Sequence, residues 1–418
     1  MASDFIWPPF TQTRTAPDPI KIVRGQGSVL YTEDGLELLD LISSWWVNLH
    51  GHAHPVLAEA LYQQAQTLEH VIFAGFSHQP AEQLAESLCR LSGLDRLFFS
   101  DNGSTSVEVA LKMALQYWHN LEQPRKRILT LQGGYHGDTF GAMSVGQSSG
   151  FYGPFEHLLF AVDALPFPAA PQASLDWLDR HLQQHAADVA AVILEPLVQG
   201  AAGMRMYSPE FLEAVCQKVR MAGGLVILDE VMTGFYRTGK LFAFQHTPVK
   251  PDFLCLSKGI TGGFMPLGVT LTTSQIFEAF EGNSFSRAFA HGHSYTANPL
   301  SCAVANASLE LLLHPETLQN ISRIEEQHRT FLTELQPQKD IQGARVLGTL
   351  LAFEWQCQGE YGSSCSLNLR NAFLQKGLLL RPLGNTLYLM PPYCTTSTQL
   401  GRAHQTILQV LGETKSTP

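Results

Sequence analysis

What most constrains this chain is a series of short apolar runs, most of them ending in polar residues. They are Arg96-Leu97-Phe98-Phe99, Ile128-Leu129-Thr130-Leu131, Ala190 to Leu194, Leu225 to Leu228, Phe253 to Leu256 and Leu267 to Leu271. Between them lie stretches of helical pattern, one running to about Trp118 and another from about Pro209 to Met221. A run this short and this apolar suits a strand buried on both faces. Alternation with helices predicts an α/β fold, a large domain with a mainly parallel sheet covered on both sides. Open sheets of this kind bind ligands beyond the carboxyl ends of their strands. Polar residues collect there in this chain: Ser100-Asp101, Glu195, Asp229-Glu230 and Ser257-Lys258.

The flanking regions read differently. Residues 1–50 form an irregular arm followed by a hairpin, in which Val29-Leu30-Tyr31 and Leu38 to Leu41 flank the turn Glu33-Asp34-Gly35. His54-Pro55 opens a helix over 56–68. From about Asn298 a long helix runs to Leu313, and the pattern then becomes α+β. A helix near 317–336, strands near Arg345–Glu354 and Leu387–Met390, and a last helix near 397–411 are expected. This predicts a large domain over 51–297 and a smaller α+β domain over 298–418, with the 1–50 arm contributing to the smaller one.

The 418 residues, 45% hydrophobic, suffice for cores of that size. A net charge of -10 with only 15% charged residues argues against a nucleic-acid or anionic-membrane partner, and the low charge density fits an oligomer. The amino terminus lacks the pattern of a signal peptide, and no apolar run approaches the length of a membrane span. Seven scattered cysteines without a C-x-x-C pair fit reduced thiols in a cytoplasm.

Four positions carry chemistry. Lys258 follows an apolar strand and precedes the Gly-rich turn Gly259 to Gly263. Desolvation and a nearby cation would lower the pKa of such an amine, which can then form a Schiff base with an aldehyde; alternatively its ammonium snorkels to water. Asp229 closes another apolar run, where it suits a protonated ring nitrogen or, equally, a helix cap. Gly103-Ser104-Thr105 leads from a strand into a helix, which suits a phosphate or an ordinary N-cap. Tyr135, in the loop Gly133 to Asp138, can stack on a planar ring or simply pack the loop. Two other motifs are set aside. Gly234 to Leu241 has P-loop spacing, but Leu241 stands where a hydroxyl must meet magnesium. His52 and His54, and His291 and His293, lack partners at metal-ligand spacing, so no metal site is expected. An anion site, a ring stacker, a ring-nitrogen partner and a nucleophilic amine together match the demands of pyridoxal 5'-phosphate (PLP).

From about Trp7 to Tyr393 the chain resembles the class III aminotransferases, PLP-dependent enzymes of fold type I. Ser43-Ser44-Trp45-Trp46, Gln199 to Tyr207, Arg381-Pro382-Leu383-Gly384 and Tyr388 to Tyr393 resemble a branch acting in biotin biosynthesis. That branch converts 8-amino-7-oxononanoate to 7,8-diaminononanoate. The resemblance implies Lys258 as Schiff-base lysine and proton carrier, Asp229 against the pyridinium nitrogen, and Gly103 and Ser104 on the phosphate. Tyr135 would lie against cofactor and substrate, while Trp45, Gly292 and Arg381 would line the substrate site. Arg381 suits a carboxylate by its bidentate fork, and the Trp45 indole suits a long methylene chain. His293 and Ser294 would reach the cofactor phosphate of a neighbouring subunit, which implies a homodimer with active sites at its interface.

The chain departs from the family pattern at three places. Phe10 stands where Tyr usually contacts the substrate and the donor's adenine, and the phenolic hydrogen bond is lost; the family implies S-adenosylmethionine as amino donor, and this departure makes lysine the alternative. Ser294 replaces Thr, and Tyr236 replaces a common Gly. Other readings on the same fold are an ω-amino acid or acetylornithine aminotransferase, an aminomutase or decarboxylase, and a non-catalytic PLP-fold binding protein.

Overall fold

A computed structural model of the chain describes residues 5–146, 152–356 and 364–414. The first four residues of the expected N-terminal arm and the last four of the chain lie outside them. Sixteen strands occur among the described residues. They are β1 (Ile22–Gln26), β2 (Val29–Thr32), β3 (Glu37–Asp40), β4 (Arg96–Ser100), β5 (Arg127–Leu131), β6 (Asp163–Leu165), β7 (Val189–Leu194) and β8 (Val198–Gln199). The others are β9 (Arg205–Met206), β10 (Leu225–Asp229), β11 (Phe253–Leu256), β12 (Gly268–Thr272), β13 (Ile341–Leu347), β14 (Leu350–Trp355), β15 (Leu378–Leu379) and β16 (Thr386–Leu389).

The central sheet has seven strands in the order β4-β12-β11-β10-β7-β5-β6. Only β12 runs against its neighbours. The other six therefore point one way, and their carboxyl ends form a single edge. Successive strand residues alternate between two apolar clusters. Val226, Leu228, Val192, Leu254 and Leu256 belong to one cluster, and Ile227, Ile193, Phe253 and Cys255 to the other. That is the period-2 geometry of a strand covered on both faces. One cover is the helix Gly103–Asn120, which buries Val107, Ala110, Leu111 and Ala114. The helices Gln79–Ser92 and Pro209–Met221 bury their apolar stripes in the opposite cluster. The sequence reading left Gln79–Ser92 unassigned; its amino end is capped by His78, whose Nδ1 accepts the Ala81 N–H at 3.3 Å.

Chain beyond the central sheet folds back on the amino-terminal strands. The parallel pairing of β15 with β3 joins residues 378–379 to 39–40. The three-stranded sheet β13-β14-β16 packs against the helix Pro315–Leu335, which in turn packs against the helix Ser397–Thr414. No helix among the described residues is long and apolar enough to cross a membrane.

Candidate active site

The common edge of the central sheet opens onto a cavity of 690 Å³. Gly103, Ser104, Tyr135, Asp229 and Lys258 all line it. They come from the ends of β4, β5, β10 and β11, so sheet order brings together residues far apart in sequence.

The β4 end turns directly into the helix Gly103–Asn120. The Asn102 side chain accepts the Thr105 N–H at 3.0 Å, and the Thr105 hydroxyl accepts the Asn102 N–H at 3.1 Å. The N-cap and anion readings are therefore compatible. The cap engages Thr105, which leaves the Gly103 and Ser104 amides without helical partners at the positive end of an 18-residue helix. A Cβ at Gly103 would lie 2.6 Å from Val231 Cγ1, so the close approach requires glycine. Ser104 Oγ lies 2.7 Å from Thr139 Oγ1 and accepts the Thr139 N–H.

Asp229 ends β10 in register with Cys255 of β11. It caps no helix. Its Oδ1 accepts the Val231 N–H at 3.0 Å, and its Oδ2 lies 2.7 Å from His136 Nδ1. Both side chains are almost wholly buried, and His136 Nε2 has no hydrogen-bond partner. Sequence reasoning passed over His136, although it neighbours Tyr135. It also passed over Glu195, which ends β7 and accepts the N–H groups of Tyr135 at 3.0 Å and Gly200 at 2.9 Å. Burial raises the Glu195 carboxyl to about 7. Burial and the adjacent Asp138 carboxylate push the Tyr135 hydroxyl well above its ordinary range.

Lys258 follows β11 with a backbone φ of 41°, a left-handed conformation that L residues rarely adopt. The neighbouring Ser257 hydroxyl anchors the turn by donating to the Leu267 carbonyl at 2.6 Å. The lysine is half-buried, and its Nζ lies 4.7 Å from the ring centre of Trp46. Desolvation lowers its pKa, as anticipated. The expected helping cation is replaced by carboxylates, because Asp229 and Glu195 act in the opposite direction.

The expected substrate residues fall into two places. Trp45 does not line the cavity; Trp46 does. Trp45 instead sits between Phe10, at 5.5 Å between ring centres and 64° between planes, and the Arg381 guanidinium, 4.3 Å from its ring. Gly292, His293 and Ser294 are absent from the lining of this chain's own cavity, and Gly292 and Ser294 are exposed. Tyr236, noted for replacing a common Gly, has φ 69°, so that position takes the left-handed backbone to which glycine is suited. No group of His, Cys, Asp or Glu among the described residues is placed to hold a metal ion.

Four properties of this cavity fit PLP: a helix terminus for a phosphate, a buried carboxylate, an amine desolvated without a hydrogen bond, and an orphaned imidazole nitrogen. Comparison with known proteins points the same way. The chain is 54% identical to adenosylmethionine-8-amino-7-oxononanoate aminotransferase of Synechococcus elongatus, with 98% of each chain covered. It is 38% identical to the protein of that name from Helicobacter pylori, covering 98% of this chain and 96% of the relative. A crystal structure of the enzyme of that name from Methanocaldococcus jannaschii superposes with a TM-score of 0.93 at 34% identity, covering 98% and 97% of the two chains. A PLP-bound amine transaminase from an uncultivated Pseudomonas species gives 0.90 at 31% identity, with 99% of each chain covered. Residues 11–411 match the aminotransferase class-III family model, and the chain belongs to that family of PLP-dependent enzymes.

Proposed function

We propose that the chain transfers an amino group to 8-amino-7-oxononanoate, giving the 7,8-diaminononanoate of biotin biosynthesis, with S-adenosylmethionine as donor. The observation that carries the acceptor is 54% identity across 98% of the chain to a relative of that name. The Phe10–Trp45–Arg381 stack supports it physically. An indole face covers methylenes at little entropic cost, and a guanidinium beside it suits a terminal carboxylate.

PLP, when bound, supplies an aldehyde that takes up the amino group and a ring that accepts electrons from the carbon losing its proton. The Gly103 and Ser104 amides would hold its phosphate. Asp229 would keep the ring nitrogen protonated, and His136 fixes that carboxylate from behind. Lys258 Nζ would take the proton from the donor's amine-bearing carbon in the first half of the reaction and deliver one to the acceptor's carbonyl carbon in the second. Burial lowers its proton affinity, so the free base is available nearer neutral pH than in an exposed lysine. Tyr135, held through its backbone by Glu195, covers the reacting group.

We also infer a homodimer in which His293 and Ser294 serve the neighbour's cofactor site, supported by the position of Gly292–Ser294 away from their own cavity. Action in the cytoplasm is supported by the free thiols of Cys89, Cys216, Cys255, Cys302 and Cys394.

The test incubates the PLP-loaded protein with 8-amino-7-oxononanoate and, separately, S-adenosylmethionine, lysine or glutamate, and follows diaminononanoate by mass. Product is expected with S-adenosylmethionine and is abolished by Lys258→Ala. Product with lysine alone would reassign the donor, consistent with the hydroxyl missing at Phe10. No product with any donor would refute the acceptor.

A further inference from the structure

Glu195 lines the cavity, yet the reaction above gives it no proton to move and no atom of substrate to bind. Its surroundings are specific. One carboxylate oxygen accepts the Tyr135 N–H, on the loop after β5, and the other accepts the Gly200 N–H, after β8. Its own carbonyl accepts the Tyr207 hydroxyl at 2.6 Å. One side chain thus ties together two segments that border the cavity from different strands. Glu195 also contributes to the charge balance. Its negative charge raises the proton affinity of Lys258, as Asp229 does more strongly.

We propose that Glu195 is a positioning residue for amino transfer: it clamps the Tyr135 loop to the Gly200 turn and sets its carboxylate, beside that of Asp229, in the cavity wall that Lys258 shares. The proposal rests on the transaminase reading of the cavity. The groups facing Glu195 are His136 and Arg205, which favour its ionised form, and Asp229 and Tyr207, which do not; Lys258 is the cation it serves. Burial outweighs the favourable neighbours and brings the carboxyl to about 7, so the lysine meets a charge that changes across neutral pH. Below that pH the clamp loses its charged acceptor and the lysine loses one of two carboxylates.

The test substitutes Glu195→Gln, which preserves shape, leaves one oxygen for one N–H and removes the charge. In the apo-protein, Lys258 is trapped with PLP and borohydride over a range of pH and identified by mass. In the holoenzyme, the cofactor absorbance is titrated. The variant should shift the lysine titration down by about one pH unit, as expected for loss of one of two carboxylates in the same cavity wall. Glu195→Asp, which keeps the charge and shortens the reach, should leave that titration in place and weaken PLP retention about tenfold, one hydrogen bond to a charged group being worth that much. An unshifted titration in the Gln variant would overturn the proposal. Should both variants fail to fold, the wild-type lysine titration decides. Coupling to a neighbouring group that titrates requires a second inflection in the lysine curve, and a single step refutes it. No donor or acceptor is present in these measurements, so their failure is distinguishable from failure of the diaminononanoate assay.

Discussion

At the scale of single residues, the reactive amine is held by opposing influences. Desolvation favours the neutral form of Lys258, Asp229 and Glu195 favour the ammonium, and the Trp46 face 4.7 Å away also favours the cation. Such a cation–π contact is worth about 0.5–2 kcal/mol, which converts to at most about one and a half pKa units. Trp46→Leu should therefore lower the Lys258 pKa further, and the acidic limb of the kcat/KM profile should move to lower pH. The profile measured across pH 5–9 checks this, and an unmoved acidic limb would show that the indole only fills space. Lys258 and Asp229 were legible in the sequence because a polar residue at the end of an apolar run conflicts with burial unless it has a partner, and Gly103, Ser104 and Tyr135 because they sit in a strand-to-helix turn and a Gly-rich loop. Glu195 and His136 occupy similar positions, but their roles depend on pairings with residues 60 and 93 positions away, Tyr135 and Asp229 respectively. One-dimensional patterns carry local periodicity, and such pairings appear only after the strand order β10-β7-β5 is known.

The element that departs most from sequence expectation is the turn Ser43–Trp46. All four residues have φ between 44° and 75°, and none is glycine. Left-handed conformations cost about 1–2 kcal/mol per residue for L amino acids, so the turn needs external support. Ser43 Oγ donates to the Met390 carbonyl at 2.7 Å, Ser44 Oγ to Asp40 Oδ2 at 2.8 Å, and Trp46 Nε1 to the Tyr388 hydroxyl at 3.0 Å. Arg237 completes it from beneath. Its guanidinium, buried to 1% exposure, donates to the carbonyls of Trp46, Asn48 and Pro391. Arg237 belongs to the Gly234–Leu241 segment that the sequence marked for its P-loop spacing, and here that segment turns its arginine inward onto backbone carbonyls. The left-handed turn sends Trp46 to the lysine and Trp45 to Phe10 and Arg381, which a helical or extended turn would not do. Arg237→Met leaves three buried carbonyls without donors, at about 1–3 kcal/mol each before relaxation. We expect a lower thermal midpoint and a larger loss in kcat/KM for 8-amino-7-oxononanoate than in PLP affinity, since the turn borders the substrate side. Calorimetry and steady-state kinetics check this, and an equal loss in both parameters would place the effect in the whole cavity.

At the scale of the whole molecule, the chain carries a surface not suited to solvent. Ile72, Phe76, Phe285 and Tyr295 are each at least 60% exposed, and the Tyr295 ring lies 5.4 Å from that of His70, which brings the 70–76 and 293–296 segments together. Asn298 Nδ2 reinforces the contact by donating to the Glu69 carbonyl at 3.2 Å. Exposed apolar groups brought together in this way suit an interface such as the homodimer proposed above, and a two-fold interface would present the same segment of each subunit to the other. In the homodimer proposed above, Gly292–Ser294, next to Tyr295, would lie within it, where residues away from their own cavity could complete the partner's. This arrangement makes a prediction that a monomeric site cannot satisfy. Lys258→Ala and a His293→Ala, Ser294→Ala double variant are each expected to be nearly inactive. When the two are unfolded, mixed in equal amounts and refolded, half of the dimers are mixed. Each mixed dimer holds one site carrying both defects and one carrying neither, so about a quarter of all sites regain wild-type composition. Recovery of diaminononanoate formation to about that level places the loop in the partner's site. If His293 and Ser294 served their own lysine, every site in the mixture would carry a defect, and activity would stay at the level of the separate variants.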